Sequence, residues 1–88
     1  MSQPTVTIYV TDWCPYCRRA KGLLTQKGLE FNEINVDDAP QFREEMIARS
    51  GRRTVPQIFI GEKHVGGCDD LFALEESGEL NRLTQGTP

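Results

Sequence analysis

Apolar residues in this chain fall in short runs whose period changes several times, and each change marks an element. Thr5-Val6-Thr7-Ile8-Tyr9-Val10 alternates β-branched and aromatic residues without Gly or Pro, which predicts a strand. From Cys14 the period becomes helical. Pro15 suits a first helical position, where its missing N–H removes nothing. Cys17, Ala20, Leu23 and Leu24 then form an apolar stripe, with Gly28 just past the helix end. Leu29 to Val36 reads as a second strand. Its apolar phase shifts between Leu29/Phe31 and Ile34/Val36, which permits a bulge or burial on both faces. Asp38, with Gln41 three residues on, predicts a capping box for a second helix bearing Phe42, Met46 and Ile47 and stopped by Ser50-Gly51. Gln57-Ile58-Phe59-Ile60 and Lys63-His64-Val65 flank Gly61-Glu62, a hairpin signal. A third helix is expected from about Cys68-Asp69-Asp70, carrying Leu71, Phe72 and Leu74 and ending at Gly78. Leu80 and Leu83 would anchor one more turn, and Thr84 to Pro88 reads as a frayed tail.

The order βαβαββα predicts an α/β fold, with three main helices on the two faces of a four-stranded mixed sheet. The first βαβ crossover is right-handed. This is the thioredoxin arrangement, in one domain over residues 1–88 with its core at about 5–83. It puts Cys14 and Cys17 at the N-terminus of the first helix, beyond the end of the first strand.

Charge and composition exclude several functions. The net charge is −3, without the basic excess of a phosphate-backbone binder, so no nucleic-acid partner is expected. No apolar run approaches the roughly 18 residues of a membrane span. The polar opening Met1-Ser2-Gln3-Pro4 has neither the basic nor the apolar region of a signal peptide, so the expected location is the cytoplasm. In that reducing compartment three cysteines do not make a disulfide framework, and Cys-x-x-Cys reads as redox or metal chemistry.

Residues three apart on a helix are neighbours, with Cβ atoms about 5–6 Å apart, so Cys14 and Cys17 can pair. A crosslink closing so short a loop removes chain entropy worth only about 2 kcal/mol, which suits electron exchange better than stapling. A helix N-terminus favours a thiolate, and Arg18 and Arg19 add positive charge within two turns. Lowering a thiol pKa from about 8.5 to about 5 raises its thiolate fraction at pH 7 about 30-fold, yet cuts its nucleophilicity about 40-fold. The advantage is therefore in leaving, and Cys14 reads as the shuttling thiol. Cys17, one turn further in, reads as the buried resolving thiol.

Three blocks now carry a resemblance: Cys14-Pro15-Tyr16-Cys17, Thr54-Val55-Pro56-Gln57-Ile58-Phe59-Ile60 and Gly66-Gly67-Cys68-Asp69-Asp70-Leu71. In their order and spacing the chain resembles the dithiol glutaredoxins, of the bacterial glutaredoxin-3 type, from Val6 to Leu83. The resemblance implies a glutathione-dependent thiol-disulfide oxidoreductase, monomeric, with no tightly bound cofactor and with glutathione as reducing co-substrate. Its partners would be disulfide-containing or glutathionylated proteins. Cys14 and Cys17 are then the catalytic pair, and Tyr16 flanks the bound tripeptide. Pro56 follows a cis peptide and faces the cysteines, exposing the Val55 backbone for strand-like pairing with the glutathione cysteine. Arg52 and Arg53 supply a basic rim beside Thr54. Gly66-Gly67 lets the N–H groups of Cys68 and Asp69 approach a carboxylate, and Asp69 or Asp70 caps the helix or meets an ammonium group. Where many family members carry Lys, three residues before the first cysteine, this chain has Thr11. Arg18, Arg19 or Arg53 would have to replace that cation.

Other readings stay open at this point. Cys14, Cys17, His64 and Cys68 formally make a zinc set. A dimer bridged by an iron-sulfur cluster, and a redoxin fed by a flavoprotein, are two more. Trp13 either frames a partner surface or covers the helix start, His64 reads as a surface residue, and Cys68 as a small residue fitting a helix start or a thiol open to reversible glutathionylation or oxidation.

Overall fold

A computed structural model describes residues 4–84. The strands are β1 (Val6–Val10), β2 (Asn32–Asn35), β3 (Gln57–Ile60) and β4 (Lys63–Gly66), and the helices are α1 (Pro15–Gln26), α2 (Pro40–Ser50), α3 (Cys68–Ser77) and α4 (Glu79–Thr84). They form one four-stranded sheet in the order β2-β1-β3-β4. β1 runs parallel to β2 and antiparallel to β3, and β3 is antiparallel to β4. This is the mixed sheet that the element order predicts.

Alternation along the two central strands divides the core. Val6, Ile8 and Val10 of β1 and Ile58 and Ile60 of β3 turn to one face, where Ala20, Leu23 and Leu24 of α1, Leu71 of α3 and Leu80 of α4 cover them. Tyr9 and Phe59 turn to the other, against Met46, Phe42 and Ile47 of α2. A central strand is thus buried on both sides, and every residue of β1 and β3 is buried. The phase shift in the second strand has the same cause: Leu29 and Phe31 pack on the first cluster, Ile34 and Val36 on the second.

Three expectations change. β2 is shorter than Leu29 to Val36: only Asn32–Asn35 pair with β1, at the edge of the sheet, where Asn32 and Glu33 are exposed. The second helix is not capped by Asp38. Ala39 is the N-cap, without a side-chain bond, and Pro40 is the first helical residue. Proline's fixed φ sets the helix start there, one residue past the position from which Asp38 would reach. Thr84 is not frayed: it is buried in α4, where its Oγ1 donates to the Leu80 carbonyl at 2.8 Å. Residues 85–88 of the proposed tail lie outside the described residues.

Glycines end two helices as the sequence predicts, with Gly51 and Gly78 at φ 72° and 83°. Gly61 opens the two-residue hairpin turn at φ 60°. β4 then carries one extra residue, since Phe59 pairs with His64 but Ile58 with Gly66. That bulge at Val65 brings the chain to Gly66-Gly67 and the start of α3, alongside the start of α1.

Candidate active site

Cys14 is the N-cap of α1, with extended backbone at φ −114° and ψ 105°, and Pro15 follows at the first helical position. The Cys14 carbonyl accepts the first helical bond, from the Arg18 N–H at 3.1 Å. The Cys14 sulfur accepts the Cys17 N–H at 3.1 Å. The residue therefore does with sulfur what Ser or Asp does with oxygen at other helix starts. This electron-rich atom sits at the positive end of a helix dipole and carries a donated hydrogen bond.

Cys14 is 8% exposed and Cys17 only 1%. Both are free thiols, as is Cys68. Burial, and then the hydrogen bond to Cys14, push the Cys17 thiol up to about 12. Burial pushes the Cys68 thiol up as well. The unfolded chain gives up the Cys17 proton near pH 8.5, whereas the folded chain holds it until about 12. Between these values the folded state binds the extra proton, so stability falls as pH rises. The Tm of the reduced protein is expected to drop from pH 7.5 to 10 more steeply than that of Cys17→Ala, followed by circular dichroism. Equal slopes would contradict the shift.

Opposite Cys14 lies the segment before β3. Its Val55-Pro56 bond is cis, and the Val55 carbonyl is 3.8 Å from the Cys14 sulfur, within reach of the thiol hydrogen. Tyr16, Arg52, Thr54, Val55, Pro56, Gln57, Gly67, Cys68, Asp69 and Asp70 line an open groove of about 210 Å³. Sites that enclose a drug-sized molecule run to about 300–1,000 Å³, so this groove suits a ligand lying along the surface. Seven of the eight ligand-binding residues singled out in the sequence line it: Tyr16, Thr54, Val55, Pro56, Gly67, Cys68 and Asp69. Arg53 is exposed and does not; Arg52 takes that place.

The reason lies in α3. Asp70 accepts the Gly67 N–H at 2.9 Å, capping the helix, and the same oxygen meets Arg52 at 3.5 Å. Asp70 thus holds Arg52 to the groove. Cys68 and Asp69 are the first residues of α3, whose N–H groups have no acceptor inside the helix by their position. Of the other arginines, Arg19 lies over the Phe72 ring, 5.6 Å from its centroid. Trp13 is 87% exposed beside Cys14, while Tyr16 is 56% exposed over the groove.

His64 is not a surface residue. It is half-buried, with its Nε2 2.7 Å from the Gln57 Oε1 and its ring against Phe59. Gln57 is the residue that reading the sequence missed. A glutamine in a strand normally marks the solvent side, and nothing local signals that this one is buried. Among the described residues, no group of three or more His, Cys, Asp or Glu is placed to hold a metal.

A pair of thiols at a helix start, facing a cis-proline segment on this fold, defines a thiol-disulfide oxidoreductase of the thioredoxin fold. Comparison with known proteins narrows the class. The glutaredoxin family model matches residues 6–65. Glutaredoxin 3 of Escherichia coli strain K12 is 58% identical over 78 residues, 89% of this chain and 94% of that protein. The solution structure of glutaredoxin from Brucella melitensis superposes with a TM-score of 0.84 at 58% identity, covering 96% of this chain and 91% of that one. The crystal structure of a buckwheat glutaredoxin-glutathione complex gives 0.83 at 32% identity, covering 93% and 76%. The chain belongs to the glutaredoxin family. It is accordingly a glutathione-dependent thiol oxidoreductase, with glutathione as co-substrate.

Proposed function

We propose that Cys14 is the attacking thiol, Cys17 the resolving thiol, and the groove beside them the glutathione site. On a glutathionylated protein, the Cys14 thiolate attacks the glutathione sulfur. The protein leaves as its thiolate, and Cys14 becomes disulfide-linked to glutathione. A second glutathione thiolate attacks the glutathione sulfur of that link and releases the Cys14 thiolate and oxidised glutathione. On a protein disulfide, Cys14 forms a mixed disulfide with one substrate cysteine. Cys17 then attacks the Cys14 sulfur and expels the substrate as a dithiol. Two glutathiones reduce the resulting Cys14–Cys17 disulfide and leave as one oxidised glutathione.

The proton on Cys17 fits this order. Its hydrogen bond to Cys14 and the charge of Cys14 both make that proton harder to lose, after burial. Both contributions vanish once the Cys14 sulfur is tied up in a mixed disulfide. Cys17 thus becomes a better nucleophile at the stage where it acts.

The observation that carries the reading is the Cys14 sulfur itself, capping α1 and 3.8 Å from the Val55 carbonyl at the edge of the groove. We assign the glutathione peptide to the Val55 main chain, its carboxylates to Arg52 and the Cys68 and Asp69 N–H groups, and one side to Tyr16. Arg53, exposed beside Thr54, adds charge to the rim without lining the groove. Thr54, Pro56 and Gly67 shape the walls. Disulfide-containing and glutathionylated proteins are the proposed partners, Trp13 beside Cys14 facing them, with the protein acting as a monomer in the cytoplasm. No helix among the described residues is long and apolar enough to cross a membrane.

The test is turnover of a small mixed disulfide of glutathione, coupled to glutathione reductase and NADPH. Robust turnover is expected. Silence there, with activity restored by a thioredoxin reductase, would overturn the glutathione site and keep the thiol chemistry.

A further inference from the structure

Gln57 is 1% exposed, yet its primary amide has partners at both ends. Its Nε2 donates to the Thr54 carbonyl at 3.0 Å and to the Thr54 Oγ1 at 3.2 Å. A carbonyl oxygen only accepts, so this end of the side chain is the NH2 group. The other end is then the amide oxygen, and it faces the His64 Nε2 at 2.7 Å. Since that oxygen also only accepts, the Nε2 of His64 carries a hydrogen. The bond exists for the neutral Nε2–H tautomer and for the imidazolium alike. Burial and the charge of Arg52 lower the His64 pKa, against the opposite pull of Asp70, which favours the neutral ring. On the α2 side the imidazole lies 4.9 Å from the Phe59 ring, which in turn sits under the Arg49 guanidinium.

The reach of this chain is decided by the peptide it ends on. Thr54 C=O and Val55 N–H belong to one peptide unit. Among the described residues only Val55-Pro56 is cis, so that unit is trans and its two groups point to opposite sides. Whatever holds the Thr54 carbonyl therefore aims the Val55 N–H. Val55 is also the residue whose carbonyl faces the Cys14 sulfur.

We propose that Gln57 and His64 are positioning residues. The buried amide, itself held by the imidazole, fixes the Thr54-Val55 peptide so that the Val55 main chain meets the peptide portion of the thiol joined to Cys14 in one register. This rests on the glutathione reading given above and deepens it, since neither side chain acts on the sulfur. They act through Thr54.

Gln57→Glu tests it. A carboxylate offers the Thr54 carbonyl no hydrogen and repels it. The KM for a glutathionylated peptide is expected to rise about tenfold, with kcat changed by less than about twofold. The alkylation rate of Cys14 by iodoacetamide should not change. His64→Leu, which keeps a side chain against Phe59 and removes the donor, should raise KM in the same sense. His64→Gln, which restores an N–H donor, should recover most of that loss. The two His64 variants carry the test if Gln57→Glu does not fold. An unmoved KM, a His64→Gln as impaired as His64→Leu, or a Cys14 alkylation rate that shifts as much as KM would each overturn the proposal. The Val55 amide resonance of the free protein supplies a readout that needs no glutathione. If Gln57→Glu and His64→Leu leave it in place, the positioning role is wrong. If it moves while the wild-type protein shows no glutathione-linked turnover, the positioning role stands and the substrate reading falls.

Discussion

Cys14→Ser is expected to lose turnover with every disulfide, by at least roughly a thousandfold, while Cys17→Ser keeps the reduction of glutathionylated peptides and loses most reduction of protein disulfides. Access separates the two thiols. Cys14 lies at the groove and Cys17 is behind it at 1% exposure, so an incoming disulfide reaches only the first sulfur. Once Cys14 carries glutathione, a second glutathione can resolve it from solution, and Cys17 is dispensable. Once Cys14 carries a protein, bulk hinders attack from outside, and the thiol one turn along the helix has the advantage of proximity. The glutathione-reductase-coupled assay, run on a glutathionylated peptide and on a protein with one disulfide, separates the two. Loss of both activities in Cys17→Ser would contradict the assignment of roles.

Gly66→Ala is expected to lower the Tm by roughly 10–20 °C, the shift for about 2–4 kcal/mol in a domain of this size. Gly66 has φ +121°, where an L side chain is strained. A methyl group there would stand 2.2 Å from the Asp70 Oδ2 and 2.8 Å from its Cγ. Asp70 would have to leave the Gly67 N–H, uncapping α3, and would release Arg52. Backbone strain of about 1–2 kcal/mol and a lost cap of about 1 kcal/mol add before any repacking. Gly22→Ala is the control. It lies in α1 with open space around its Cβ, and should be neutral or stabilising by up to about 1 kcal/mol. Thermal unfolding followed by circular dichroism reads both, and a Gly66→Ala within a few degrees of wild type would show that Asp70 yields easily.

The elements and their order were legible in the sequence because period and punctuation agreed: alternation in β1, a helical stripe from Cys17 to Leu24, glycines at Gly51 and Gly78. Where two local signals competed, one hid the other. Asp38 with Gln41 looked like a cap, but Pro40 sets the start of α2. Thr84 reads as polar and terminal, yet its hydroxyl finds the Leu80 carbonyl and the residue is buried. At the site, the cysteines and the residues flanking the cis proline were visible as motifs. What was not visible depends on contacts between distant segments. Asp70 draws Arg52, and not Arg53, to the groove, and the pairing of β3 with β4 puts His64 within reach of Gln57.

The two outer strands of the sheet bear on how this protein meets other chains. A strand edge with free main-chain groups is a template for another chain. Here β2 shows Asn32 and Glu33 to solvent, and β4 begins with an exposed lysine and is broken by the bulge at Val65. Neither edge offers a long, flat, apolar ribbon to join. Adhesion to sticky, half-folded chains along the sheet edges is thereby discouraged, which leaves the end of the molecule that carries the sulfur as the face free to be selective.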